Sequence, residues 1–196
     1  MTFEIVFTDV HFHRQRQRRV RRLLVVCNAI VLSGCIVWLA LGMTWRAWPI
    51  VAIQVGGIAA SAALALVLQR GNVRLARHLI VGTVLALLVG IMAVEGVAPG
   101  HPRVVHLYLV VVAVAVHLLF FDAPPRVPAA YAALCFAIFV GREFGWLGAP
   151  PILPLQLDAA VLARHVTVIA FFVILLVLTR LFVVDIDAAG RQFALA

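Results

Sequence analysis

Charged residues are scarce in this sequence. They make up 12% of the 196 residues, against about a quarter in an average soluble domain. Hydrophobic residues reach 65% and the mean hydropathy is +1.11, so the apolar surface is larger than a soluble interior of this size can bury. This composition excludes a disordered chain, and it predicts an integral membrane protein surrounded by lipid.

Cysteine is scarce as well. Cys27, Cys35 and Cys135 are the only cysteines; all three lie in apolar stretches, and no CxxC pair occurs. Cys27 and Cys35 are too far apart on one helix to form a disulfide. A secreted disulfide scaffold is therefore excluded, and we expect the three thiols to behave as small hydrophobic groups.

Lysine is absent, since all sixteen basic residues are arginines; with eight acidic residues the formal net charge is +8. A positive charge of this size is found in nucleic-acid-binding proteins, but its distribution here follows membrane topology instead. Six arginines come directly before the first apolar stretch: Arg14, Arg16, Arg18, Arg19, Arg21 and Arg22. We therefore expect no nucleic-acid partner.

Six apolar segments are long enough to cross a bilayer as helices, which takes about 20 residues. They are residues 23–44, 48–68, 75–94, 104–121, 127–146 and 159–184. Breaks that are polar or rich in Pro and Gly separate the segments. The sequence thus predicts an all-α polytopic membrane protein, with a six-helix transmembrane bundle over residues 23–184.

The arginines also indicate the orientation of these spans. The apolar run behind the basic segment 1–22 is too long for a cleaved signal peptide, so we expect a signal-anchor helix. When the N-terminus is cytoplasmic, most arginines outside the spans fall on the cytoplasmic side, as the positive-inside rule requires. Trp45, Trp48 and Trp146 then form an aromatic belt at the outer interface. Both termini are accordingly predicted to be cytoplasmic.

Four of the seven histidines lie inside predicted spans, where ionisable side chains are costly and usually functional. His106 and His117 are eleven residues apart in the fourth span, which on a uniform helix separates them by roughly 20° and a rise of about 16 Å. His78 lies near the start of the third span, on the cytoplasmic side, at the depth of His117. His165 lies near the outer side, at the depth of His106. The topology therefore predicts an inner pair, His78/His117, and an outer pair, His106/His165.

Paired histidines from neighbouring helices, one pair in each leaflet, are the ligand arrangement for two b-type haems. Two trans imidazoles leave no open position on the iron, so such a haem transfers electrons or senses redox state. Gly82, one turn after His78, allows a flat macrocycle to approach the backbone. Four arginines beside these histidines are candidates to pair with haem propionates: Arg74, Arg77, Arg103 and Arg164.

With these features the chain resembles the six-helix membrane anchors of bacterial class III adenylate cyclases, in the subgroup whose anchor is a dihaem cytochrome b. The resemblance depends on the basic N-terminus, the six spans, the segment 71–78 (GNVRLARH) and the four histidines. It implies two haem b groups held by His78, His106, His117 and His165. It also implies a location in the bacterial inner membrane and a response to the redox state of the quinone pool.

The same resemblance implies a homodimer and a cytoplasmic cyclase joined after the sixth helix. Residues 185–196 are then expected to begin the linker to that output domain, and the 196 residues themselves are expected to have no enzymatic activity. A quinol site on the outer side needs an apolar cleft with polar groups that exchange protons. Its candidate residues are His101, Tyr108, Arg142 and Glu143.

Two other functions remain open at this point. One is a dihaem cytochrome b subunit for electron transfer, in which the basic N-terminus docks a soluble partner. The other is a haem-free receptor for a small hydrophobic ligand, in which the histidines form hydrogen bonds between helices.

Overall fold

The computed structural model describes residues 2–94, 104–144 and 157–193, and within these ranges the chain is helical, without a strand. Six α-helices follow in order: α1 (Thr2–Thr44), α2 (Trp48–Gln69), α3 (Val73–Val94), α4 (Tyr108–Leu119), α5 (Arg126–Glu143) and α6 (Leu157–Phe193). A 3-10 helix, Val105–Leu107, comes directly before α4. The all-α prediction is confirmed. Trp146 lies outside the described residues.

Four of the described helices are long and apolar enough to cross a membrane. These segments are Arg19–Thr44, Trp48–Gln69, Val73–Val94 and Asp158–Arg180. In the most apolar 18-residue stretch of each helix, between 11% and 33% of the residues are buried. Large apolar side chains elsewhere are exposed as well, and Phe136 is 68% exposed. A surface this apolar is typical of lipid contact rather than of a water-soluble monomer. The length and the apolar surface of these four helices thus indicate a membrane protein.

The fourth predicted span is shorter than the sequence indicated. Its apolar helical stretch is Val105–Leu119, instead of residues 104–121. Phe120 departs from helical geometry with φ −113° and ψ 23°, and Pro124 soon follows, which prevents the helix from continuing. The stretch falls below the roughly 20 residues that span a bilayer.

The fifth predicted span, α5, has 18 residues and includes Arg126, Arg142 and Glu143. Its charges lie at the two ends, where long side chains can reach a membrane interface. Since α4 and α5 are both short, the six-span bundle and the cytoplasmic position of the termini stay predictions.

Two helices extend beyond the predicted spans. α1 continues backwards through the basic segment to Thr2, and α6 continues to Phe193. The segment 71–78 also has a structural explanation. Gly71 ends α2 in the left-handed region, with φ 77°, and the Asn72 Oδ1 atom accepts a hydrogen bond of 3.0 Å from the Leu75 N–H at the start of α3. Gly and Asn at these positions therefore serve as helix caps.

The chain divides into two compact units, Met1–Leu87 and Leu88–Ala196. In the first unit α1 packs against α2, and Leu24, Ile50 and Leu64 are almost fully buried there. In the second unit α4 packs against α5 and α6, around residues that include Leu109 and Val116.

The three cysteines are free thiols. Cys35 and Cys135 are buried and Cys27 is half-buried, which agrees with their expected role as small hydrophobic groups.

Candidate functional site

The outer histidines both lie near one contact between α4 and α6 in the second unit. The Tyr108 hydroxyl of α4 donates a hydrogen bond of 2.8 Å to the backbone carbonyl of Thr167 in α6. His106 comes two residues before Tyr108, and His165 comes two residues before Thr167. Two residues correspond to a rise of about 3–4 Å along either type of helix. One hydrogen bond thus joins the two helices close to both histidine positions.

The side chains of the outer pair nevertheless face different directions. The His106 ring packs on Phe139 of α5, with ring centroids 5.3 Å apart. On α6, the buried side chain of Thr167 belongs to the face that contacts α4, whereas His165 is exposed. At about 100° per residue, His165 is roughly 200° from Thr167, on the opposite side of the helix. The structure brings α4 and α6 into contact near this pair without bringing the two imidazoles together.

The 3-10 turn also changes the relation between His106 and His117. A 3-10 helix turns by about 120° per residue instead of about 100°. Because His106 lies in Val105–Leu107, its separation from His117 around the helix becomes roughly 60°. The separation of roughly 20° expected from a uniform helix is therefore wrong, although both side chains keep the same half of the helix surface.

His117 has one ring nitrogen engaged within its own helix. Its Nδ1 atom is 2.8 Å from the Ala113 carbonyl oxygen in the preceding turn of α4. A carbonyl oxygen only accepts, so Nδ1 carries the proton and Nε2 keeps its lone pair. The imidazole itself is exposed. A backbone carbonyl bonded to Nδ1–H is the arrangement that orients histidines for metal ligation through Nε2.

His78 lies beside a groove in the first unit. The groove runs between α2 and α3 and has a volume of about 470 Å³, within the range of small-molecule pockets. Small side chains form much of its lining: Gly56, Gly57, Ala60, Gly82, Thr83 and Ala86. Gly82 is one turn after His78, and both are exposed on the same side of α3. This groove admits an apolar, flat ligand next to the His78 side of the helix.

The predicted propionate partners are spread over different environments. Arg74 is exposed and Arg77 is buried, both near the start of α3, and Arg164 in α6 is half-buried. Arg103 lies outside the described residues.

Two candidates for the quinol site bond to the backbone. The Tyr108 hydroxyl donates to the Thr167 carbonyl as described, and the Arg142 Nη2 atom donates a hydrogen bond of 2.9 Å to the Met92 carbonyl. His101 and the Glu143 side chain lie outside the described residues. The two described candidates thus join neighbouring segments of the second unit.

The sequence interpretation missed a polar cluster between α1 and α2. The Asn28 Nδ2 atom donates a hydrogen bond of 3.2 Å to the Ser61 carbonyl, and both Ser61 and Gln54 are only 2% exposed. Gln54 and Ser61 are seven residues apart and therefore share one face of α2. Two polar side chains seven residues apart inside a predicted span are the sequence signal that indicates such a cluster.

No protein-family model matches the chain, and no curated protein or solved structure matches it.

Proposed function

We propose that this chain is a membrane-embedded redox receptor that binds two b-type haems, one through His78 and His117 and the other through His106 and His165. In this proposal it anchors a cytoplasmic output domain of the adenylate cyclase type to the bacterial inner membrane. Both termini are cytoplasmic, the six helices form one bundle, and two copies of the chain associate. The chain itself is a receptor and not an enzyme. Quinol in the membrane is its reductant.

The observation that carries the proposal is the hydrogen bond from His117 Nδ1–H to the Ala113 carbonyl oxygen, which leaves Nε2 of the neutral imidazole for a metal. In the outer region, the Tyr108 hydroxyl joins α4 to α6 two residues along the chain from His106 and from His165. This bond connects the region of the outer histidines to α6, the helix that continues to Phe193. A change in the position of α4 at this level therefore acts directly on α6.

The donor chemistry of the inner histidines fits a haem. His117 donates its Nδ1–H to Ala113 and keeps Nε2 for iron. Gly82, one turn after His78, lines a groove formed largely by small residues, and a flat ring can lie against them. Held by His78 and His117, a haem would supply one-electron transfer at this site.

The orientation of His165 does not fit the outer pair as it stands. Its imidazole is on the side of α6 opposite to Thr167, so ligation together with His106 requires α6 to rotate by roughly half a turn. His165 is therefore the residue at which the outer pair is tested most directly. Loss of His165 and loss of His106 must have the same effect on haem content.

The test is the absorption spectrum of the purified full chain, oxidised and then reduced with dithionite, with haem quantified per chain. We expect two low-spin b haems in the unchanged protein. His78→Ala and His117→Ala should each leave one haem, and His106→Ala and His165→Ala should each leave the other. His101→Ala, outside the predicted pairs, is the matched control and should keep both.

A colourless protein from haem-replete cells would contradict the proposal as a whole. Two haems that survive His165→Ala but not His106→Ala would contradict the outer pair alone. These outcomes are separable because the reduced spectra of the two sites are measured in the same series of variants.

The groove between α2 and α3 favours a second candidate, a haem-free receptor for a small hydrophobic ligand. Its volume of about 470 Å³ and its apolar lining suit such a ligand without any metal. A colourless protein that releases one apolar molecule per chain on solvent extraction would support this function. Gly82→Leu, which fills the groove, should then abolish binding, so that no apolar molecule is released.

A further inference from the structure

Three buried polar atoms lie at the contact of α1 with α2 in the first unit. They are Asn28 Oδ1, Ser61 Oγ and Gln54 Nε2, and none of them has a hydrogen-bond partner within the described part of the chain. Their surroundings are apolar, since Leu24 and Leu64, one turn from Asn28 and Ser61, are at most 1% exposed. An unsatisfied polar atom in such a medium is costly, because water is not replaced by another partner.

The orientation of the Asn28 carboxamide is fixed by chemistry. The Ser61 backbone carbonyl only accepts hydrogen bonds, so the atom 3.2 Å from it must be the NH₂ group of Asn28. The Asn28 oxygen therefore points away from that carbonyl and needs a donor of its own. Ser61 also carries a hydroxyl, which both donates and accepts. One hydrogen bond thus joins the residue with the donor-deficient oxygen to the residue with the unpaired hydroxyl.

A water molecule between them would satisfy both groups at once. It would donate one hydrogen to Asn28 Oδ1 and make a second hydrogen bond with Ser61 Oγ, which gives it the two partners that a buried water needs. Larger ligands do not fit, because each of the three atoms is almost inaccessible from the surface. Gln54 does not take part in this bridge, because it is seven residues from Ser61, about 10 Å along α2.

We propose that the interface between α1 and α2 contains a binding site for one ordered water molecule, which bridges the side chains of Asn28 and Ser61 inside the apolar part of the first unit. The water completes a polar connection between the two helices that the direct bond from Asn28 to the Ser61 carbonyl begins. This site is independent of the proposed haem ligands.

The sequence offers a direct measurement, because Asn28 and Asn72 are its only asparagines. Protein labelled with ¹³C and ¹⁵N at asparagine alone gives two side-chain signals by solid-state NMR in lipid bilayers. Asn72 is exposed and serves as the internal positive control. We expect magnetisation from water protons to reach the Asn28 carboxamide at a short mixing time, as it reaches Asn72. Transfer to Asn72 alone would overturn the proposal.

Variants identify the second partner of the water. Ser61→Ala should abolish or strongly reduce transfer to Asn28, and Gln54→Leu, about 10 Å along the same helix face, should leave it unchanged. Transfer that survives Ser61→Ala would show that Ser61 is not the bridging group, and the proposal would be wrong.

Thermal unfolding of Ser61→Ala also distinguishes a bridging water from an unpaired hydroxyl, because the two predict changes of different sign in Tm. If water bridges the two side chains, Ser61→Ala leaves Asn28 with an unpaired oxygen, and Tm should fall by about 2–4 °C or more. If the Ser61 hydroxyl has no partner, its removal should leave Tm unchanged or raise it. Ser33→Ala, at an exposed position of α1, is the matched control and should have little effect.

Discussion

The Tyr108 hydroxyl and the Thr167 carbonyl form a hydrogen bond of 2.8 Å between α4 and α6. The Tyr108 ring also meets the Phe171 ring edge to face, at 6.0 Å between centroids. A polar and an aromatic contact thus come from one side chain, at a level two residues from His106. Thr167 itself bonds within α6, since its hydroxyl donates to the Ala163 carbonyl at 2.7 Å. Tyr108 is therefore the residue that joins these helices, and Thr167 supplies only its backbone.

Tyr108→Phe removes the hydroxyl and keeps the aromatic ring against Phe171. We expect the free energy of unfolding to fall by about 0.5–1.5 kcal/mol, because one buried hydrogen bond between helices is lost. The measurement is thermal or denaturant unfolding of the purified protein in detergent. Because His165 reaches His106 only when α6 rotates by roughly half a turn, which breaks this bond, the haem bound at the outer site should not fall.

Thr167→Val is the matched control for that variant. It removes the hydroxyl of Thr167 but keeps the backbone carbonyl to which Tyr108 donates. We expect a smaller loss of stability than in Tyr108→Phe, and unchanged outer haem. Equal losses in the two variants would contradict the assignment of the contact to the backbone carbonyl.

Gly57 and Gly56 provide a second prediction, with opposite signs at neighbouring positions. A Cβ atom on Gly57 would lie 2.6 Å from Cys35 Sγ and 2.9 Å from Leu87 Cδ2, whereas a Cβ on Gly56 meets nothing within 4 Å. Leu87 can shift the end of its side chain, but the short Cys35 side chain cannot easily withdraw. Gly57→Ala should destabilise the protein by about 1–3 kcal/mol through overpacking.

Gly56→Ala should instead be neutral or stabilising, by up to roughly 0.5–1 kcal/mol, because alanine restricts the unfolded chain and favours helix. Unfolding of both variants under the same conditions gives the comparison. The double variant Gly57→Ala with Cys35→Ala should recover part of the stability, since the nearest clashing atom is gone. No recovery would place the strain elsewhere than at Cys35.

Hydropathy predicts the helices well here, because membrane spans are long apolar runs with polar breaks. Cap residues at one of these breaks add to that signal: Gly71 ends α2, and Asn72 begins α3 through its own side chain. Depth along a helix follows from residue counting; for His106 and His165 the structure adds a contact between their helices two residues away, at Tyr108 and Thr167, and their shared depth stays a prediction.

The direction of a side chain around its helix is less accessible from this sequence. Residues 168–178 of α6 are all apolar, so no polar stripe along the helix marks which face contacts α4, and the exposed position of His165 does not follow from the sequence. The tighter 3-10 turn at His106 is another local departure that residue counting on a uniform helix misses. The polar atoms of Asn28 and Ser61 become a site only through their contact across two helices.

Arg142 provides a third prediction. Its Nη2 atom donates a hydrogen bond of 2.9 Å to the carbonyl of Met92, in the last turn of α3, where carbonyls lack partners within the helix. Arg142→Met keeps most of the side-chain length but removes this charged donor. We expect a loss of about 1.5–3 kcal/mol in the free energy of unfolding.

Arg126→Met is the matched control for Arg142→Met, since Arg126 is exposed at the other end of α5. Its effect should stay within about 0.5 kcal/mol. If Arg142 served mainly as a quinol-binding group, Arg142→Met would keep its stability and lose reduction by quinol. Thermal unfolding and the rate of haem reduction by added quinol, measured on the same samples, distinguish these two roles.

Gly82 connects the groove of the first unit to the proposed inner haem. A Cβ at Gly82 meets nothing within 4 Å, so Gly82→Leu places a large side chain in the groove without disturbing the packing of α3. If a flat macrocycle lies against this face beside His78, the variant should retain its fold and bind about one haem per chain instead of two. Gly34→Leu, at another position without close neighbours, is the control and should keep both haems. Two haems in Gly82→Leu would show that the macrocycle does not use this groove, and the inner pair of His78 and His117 would then need a different approach to the iron.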